Sequence, residues 1–205
     1  MFELFKGKET EQNWQKREAR LKWFKDKILD SECLDSEELV EHNIKYFVDA
    51  MLQSCFSLRT SLCLSGLSVM CNFIKTYSTQ FIDSVAEQIF NGLVKASYQS
   101  KKMISLEISN AFHILFEKTS HGTRFIPQIS ALIDDKNVNL RENCIQSLVI
   151  ILLRTKKEHV EKSGHLHFVE KCLDKGLSDA QPHIREQHRD LFLIYQNIWQ
   201  NNAKR

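Results

Sequence analysis

The stretch Asn139-Leu-Arg-Glu-Asn-Cys-Ile-Gln-Ser-Leu-Val-Ile-Ile-Leu-Leu-Arg-Thr155 decides the fold. Leu140, Cys144, Leu148 and Leu152 recur every four residues, which lines up one face of an α-helix and neither face of a strand. Asn139 followed by Glu142 has the capping-box pattern of a helix start. The longest apolar run of the chain, Leu148 to Leu153, lies here and falls far short of the ~20 residues needed to cross a bilayer.

Outward from this segment the same period continues. Val40, Ile44, Phe47, Val48 and Met51 form one stripe, and Phe81, Val85, Ile89 and Leu93 another. Start signals stand at the expected places: Asp35 or Ser36 ahead of an acidic turn, and Pro127 and Pro182 where first-turn prolines fit. The pattern predicts about nine helices, over 12–29, 36–54, 57–76, 80–97, 101–118, 121–134, 139–155, 158–177 and 182–200. Connections of about two to six residues make neighbouring helices antiparallel.

Composition agrees. Six Gly and two Pro are about 4% of the 205 residues, against roughly 12% in ordinary chains. All-β and Rossmann-like folds, which need frequent Gly or Pro turns, are therefore excluded. The 28 Lys and Arg against 26 Asp and Glu leave a formal charge of +2, so bulk electrostatics does not advertise a nucleic-acid binder. The six cysteines, 33, 55, 63, 71, 144 and 172, contain no CxxC pair and read as small buried hydrophobes in a reducing compartment. The start Met1-Phe-Glu-Leu-Phe-Lys-Gly-Lys-Glu is too charged for a signal peptide. A soluble intracellular chain, with no membrane partner, is expected.

Catalytic signatures are missing from the sequence. It holds no Gly-rich phosphate loop, HExxH, GxSxG or zinc-type Cys/His spacing, so neither a cofactor nor a metal is expected. His165 and His167 flank Leu166 without a third ligand and read as a solvent-facing loop. His183 and His188 lie five apart, on different faces of a helix. Glu37 and Glu38 read as first-turn partners of a helix dipole. Trp23 and Trp199 sit within apolar stripes and are expected to pack. Trp14 opens the first long helix among polar residues, which suits an interface anchor.

The helix openings repeat. Arg17, Arg59, Lys102, Arg141 and Arg185 follow one another at separations of 42, 43, 39 and 44 residues, close to the period of roughly 40–47 of HEAT-type helical hairpins. Each hairpin buries only one face alone, so stacked neighbours must cover the other. The reading is an all-α HEAT-repeat array, with residues 1–205 as one domain.

A stacked array places equivalent helix-start loops along one edge. Trp14 and Arg17 would lie there, then Arg59 and Thr60, Lys101 and Lys102, Lys136, Asn137 and Arg141, and finally His183, Arg185 and Arg189. One aromatic followed by cations suits an extended acidic protein partner. The alternative for Arg141 and Arg185 is that Asp135 and Asp179 hold them and tie adjacent turns together. Lys101 and Lys102 have no acidic neighbour in their loop and stand at the positive end of a helix dipole, so both read as unengaged.

These segments resemble the TOG domain, and more closely the CLASP family of microtubule-stabilising proteins in its fungal branch. The resemblance rests on Lys8-Glu-Thr-Glu-Gln-Asn-Trp-Gln-Lys-Arg-Glu, Ser57-Leu-Arg-Thr-Ser, Ser100-Lys-Lys-Met-Ile-Ser, Val138-Asn-Leu-Arg and Gly176-Leu-Ser-Asp-Ala-Gln-Pro-His-Ile-Arg-Glu-Gln-His-Arg, in that order. It covers essentially the whole chain. It implies a HEAT-repeat paddle, one domain excised from a longer protein, that binds αβ-tubulin with Trp14 on β-tubulin and the later loops toward α-tubulin. It also implies catastrophe suppression, rescue and spindle support, a cytoplasmic, cytoskeletal and spindle location that is nuclear in closed mitosis, and a monomeric domain without nucleic-acid partners. The fifth loop departs from the family in offering Gln181 and His183, and Glu142 follows Arg141 where a second cation is common. The alternative functions are a generic HEAT scaffold, in which Trp14 has no special role, and a HEAT-like DNA glycosylase, which the small net charge disfavours.

Overall fold

A row of interlocking aromatic rings holds the first part of the chain together. Phe24 meets Phe47 edge-on at 5.1 Å, Phe47 meets Phe73 at 5.2 Å, and Phe73 meets Tyr77 at 4.9 Å. Phe73 is fully buried, so truncating it to Ala would cost about 3–5 kcal/mol through lost transfer energy and a cavity. The structure, a computed structural model, describes residues 3–29 and 44–199. The expected helix start at Asp35 or Ser36, the Val40 end of its stripe, Cys33, and Glu37 and Glu38 lie outside the described residues.

The described residues form eleven α-helices and no strand. They are α1 (Trp14–Leu29), α2 (Ile44–Cys55), α3 (Thr60–Thr76), α4 (Thr79–Asp83), α5 (Ala86–Ala96), α6 (Lys102–Lys118), α7 (Ile126–Leu132), α8 (Val138–Arg154), α9 (Lys157–Lys162), α10 (Leu166–Gly176) and α11 (Pro182–Ile198), with short 3-10 turns at Glu3–Phe5 and Gly122–Phe125. The contacts divide the chain into two units, Met1–Ser120 and His121–Arg205. In the first, α1, α3 and α6 pack side by side as one layer, and α2 and α5 form the other. In the second, α8 packs on α11 while α7 and α10 pair on the opposite layer. Alternate helices thus stack like on like, and the fold is an all-α array of HEAT-type hairpins.

Three expected helices are broken. The helix expected over 80–97 ends at Asp83 and restarts at Ala86, because Val85 leaves the helical region (φ −122°, ψ 1°). The hairpin expected as one helix over 158–177 breaks at Gly164, whose φ of +72° only glycine adopts without strain. The segment 121–134 opens as a 3-10 turn before Pro127 enters α7 at its first turn. α8 begins before Asn139: the cap is Asn137, whose Oδ1 accepts from the Leu140 N–H at 3.1 Å.

Cys55, Cys63, Cys71, Cys144 and Cys172 are all buried and free. Burial pushes the Cys71 and Cys172 thiols up to about 11, so both stay protonated packing groups. Trp199 packs as expected, stacked on Tyr195 at 5.2 Å with its indole N–H donating to Glu161. Trp23 does not: it is 39% exposed. The buried stripe of α1 runs through Arg17, Leu21, Phe24 and Ile28, and Trp23 stands one residue, about 100°, off that face.

Candidate functional site

In the first unit the opening loop folds around Asn13. Its Oδ1 accepts from the Thr10 N–H at 2.8 Å and its amide donates to Lys8 O at 3.1 Å. This closed turn delivers Trp14 as the first residue of α1, half-buried. The Arg59 guanidinium lies over the Trp14 ring, 5.4 Å from its centroid, and pairs with Glu9 and Glu11. The first two loops therefore share one cluster of an aromatic, a cation and two carboxylates.

Arg17 is placed differently from the sequence expectation. It is 3% exposed, and its guanidinium donates to Leu4 O and Gly7 O, each at 3.1 Å, and lies over Phe5. It ties the opening segment to α1 and presents nothing to a partner. Backbone carbonyls as partners leave no residue signature in a sequence, which is why the spacing made it look like a surface cation.

Lys101 also differs from expectation. Its ammonium donates to Leu58 O at 3.1 Å and Thr60 Oγ1 at 2.7 Å, so the third loop is laced to the second. Lys102 is exposed at the start of α6, with no side-chain partner among the described residues. The two adjacent lysines thus split into one structural and one presented cation.

In the second unit the helix-start arginines are structural. Arg141 is 8% exposed. It donates to both Asp179 oxygens, at 2.7 and 2.9 Å, and to Asp135 O at 2.8 Å. Burial by itself raises the Asp179 carboxyl, but the hydrogen bonds from Arg141 and from the Gln181 N–H outweigh it and hold the group below its usual range. Arg185 donates to Asp179 O at 2.6 Å and Ala180 O at 3.1 Å. The tie between turns weighed from the sequence is what Arg141 makes, through the Asp179 carboxylate and the Asp135 backbone. Asn137 caps α8, while Lys136, His183 and Arg189 are exposed.

Of the histidines, His183 and His188 fall on different faces as expected, but His165 and His167 do not form a solvent-facing loop: His167 lies within α10 and His165 just ahead of it. His167 is exposed, His165 is half-buried against Thr123 O at 2.9 Å, and His183 and His188 face solvent and core respectively. Among the described residues no three His, Cys, Asp or Glu side chains come together as a metal site, and no helix is long and apolar enough to cross a membrane.

The arrangement defines a helical-repeat module in which Trp14 and Thr60, both half-buried, and Lys102, exposed, open helices of the first unit, while Lys136 is exposed in a loop and His183 in the first turn of α11 of the second; Arg189 is exposed further along α11, away from the helix-start loop where the sequence had placed it. Comparison with known proteins places it more narrowly. The family described as CLASP N terminal matches residues 1–205, and the chain belongs to that family. Among its relatives are Protein STU1 of Gibberella zeae, 32% identical over 202 residues, and Protein STU1 of Chaetomium globosum, 30% identical over 206. Protein stu-1 of Neurospora crassa is 30% identical over 205 residues. These alignments cover 98%, 100% and 99% of this chain but only 18% of each relative.

Proposed function

We propose that the chain is a non-enzymatic tubulin-binding module that contacts αβ-tubulin through its helix-start loops and helps to stabilise microtubules. Residues 1–205 act in this reading as one monomeric domain, and its setting is the cytoskeleton and the mitotic spindle. The observation that carries it is the Trp14–Arg59 cluster. A half-buried indole is fixed at a helix start by a cation and a closed turn, so little conformational entropy is lost when a partner covers it. Lys102 extends the same unit's surface with a solvated cation, as do Lys136 and Arg189 on the second, beside the exposed His183. Membership of the CLASP N-terminal family supplies the partner class.

The mechanism needs no chemistry. A module that prefers one tubulin conformation biases polymer dynamics by that difference in affinity alone. Catastrophe suppression, rescue and spindle support follow if the preferred conformation is the one held in the lattice.

The engaged state of Arg59, Lys101, Arg141 and Arg185 favours a second reading on one point: a generic HEAT scaffold would need the same ties between turns. Co-sedimentation with taxol-stabilised microtubules, run beside gel filtration with unpolymerised tubulin, separates the two. Pelleting or co-elution supports the tubulin reading. A chain that stays in the supernatant and elutes alone returns it to the scaffold.

A further inference from the structure

The charge of the chain is concentrated in one helix. α1 carries six Lys and Arg against Glu18 and Asp26, a formal +4, while the whole chain is only +2. Everything else therefore sums to −2. Apart from Arg17, which is buried, this excess lies along the helix rather than on the helix-start loops. Lys16, Arg20 and Lys27 are exposed, and none has an ion pair or side-chain hydrogen bond among the described residues. With Trp23 they fall at spacings of four, three and four residues, so they share one stripe of the helix.

The stripe borders a groove of about 710 Å³ lined by Glu3, Leu4, Lys16, Ala19, Arg20 and Trp23. The Arg20 guanidinium lies over the Trp23 ring, 5.3 Å from its centroid, which holds the exposed indole in place. Leu4 and Ala19 give the groove an apolar floor between the cations. The Glu3–Lys6 pair closes the charge pattern at one end.

We propose that this groove of α1 binds an acidic, extended peptide segment carrying one apolar side chain, which seats against Trp23, Ala19 and Leu4 while its carboxylates meet Lys16, Arg20 and Lys27. The surface is separate from the helix-start loops, so it adds a second contact to the module rather than enlarging the first. A peptide fits better than a nucleic acid. A single indole offers one stacking place, whereas a nucleic-acid strand presents a base at every step.

The test uses the full chain and a fluorescent twelve-residue peptide of Glu and Asp with one central Phe, followed by anisotropy. Wild type binds this peptide and ignores the Lys-for-acid version, and binding weakens as salt rises. Trp23→Ala, and separately the pair Lys16→Glu and Arg20→Glu, each weaken it by about tenfold or more. All three positions are exposed, and circular dichroism checks that the variants are folded. These variants keep tubulin binding at the wild-type level, whereas Trp14→Ala keeps peptide binding, so failure of the loop reading and failure of this one are distinguishable. The proposal is overturned if wild type does not bind the acidic peptide or if both α1 variants bind it like wild type. Tighter, α1-dependent binding of an oligouridylate also overturns it, in favour of a nucleic-acid surface.

Discussion

Arg59 of the first unit and Arg141 of the second come from one repeating sequence signal but have different physical roles. In the first unit Arg59 pairs at the surface: its side chain is 30% exposed, and one of its two carboxylates, on Glu11, is 78% exposed. In the second, Arg141 meets Asp179 with side chains 10% and 9% exposed and two parallel N–H to oxygen bonds. Water reaches the first pair far more than the second. A recurring cation at a hairpin period therefore identifies the turn and leaves open whether it presents the charge or buries it; local burial decides.

The largest expected effect follows from the buried side of that comparison. Asp179→Ala leaves the Arg141 guanidinium buried and uncompensated, which should destabilise the chain by about 3–5 kcal/mol in urea unfolding. A loss under about 1 kcal/mol would mean that the pair is solvated like its counterpart in the first unit.

The next effect also belongs to the second unit. His188 is fully buried, with both ring nitrogens lacking a hydrogen-bond partner, and it packs against Gly176, where an added Cβ would lie 2.0 Å from the ring. Burial pulls its pKa down to about 4, with Asp179 opposing. The folded state thus resists protonation that the unfolded chain accepts near pH 6.5. Its contribution is complete above pH 6.5 and declines as pH falls toward 4, by a total of about 3 kcal/mol. Thermal midpoints measured across this window should fall for wild type and less steeply for His188→Leu. Parallel slopes would show that His188 is not the titrating group.

Smaller effects distinguish neighbours in the first unit. Lys101→Ala loses the bonds to Leu58 O and Thr60 Oγ1 and should cost about 0.5–1 kcal/mol, whereas Lys102→Ala should leave the melting temperature unchanged. Equal effects would remove the distinction between them. Arg59→Ala breaks only surface ion pairs and should likewise cost about 1 kcal/mol or less, an effect that shrinks in high salt.

The stripes through Leu140, Cys144, Leu148 and Leu152 made the layers legible in the sequence, because packing obeys the same 3.6-residue period. The breaks at Val85 and Gly164 were not read, since a short interruption leaves the apolar face in register on both sides. Gly164 could have signalled its break as an isolated glycine between polar residues. Trp14's place at a helix start outside the fully buried core was legible because an indole among polar neighbours has no core to join. Arg17 and Lys101 were misread because they bond to carbonyls and a hydroxyl of distant loops, which no local pattern encodes. Trp23 was readable in principle: once Leu21, Phe24 and Ile28 set the buried face, it falls outside.

The central claim is that stiffened helix-start loops present Trp14 to tubulin. Its most direct test is the affinity of wild type and Trp14→Ala for taxol-stabilised microtubules, with thermal unfolding of both. The account predicts a loss of about 2 kcal/mol or more in binding with a melting temperature nearly unchanged. Undiminished binding by the variant would contradict it, and so would a loss of binding matched by a proportionate loss of stability.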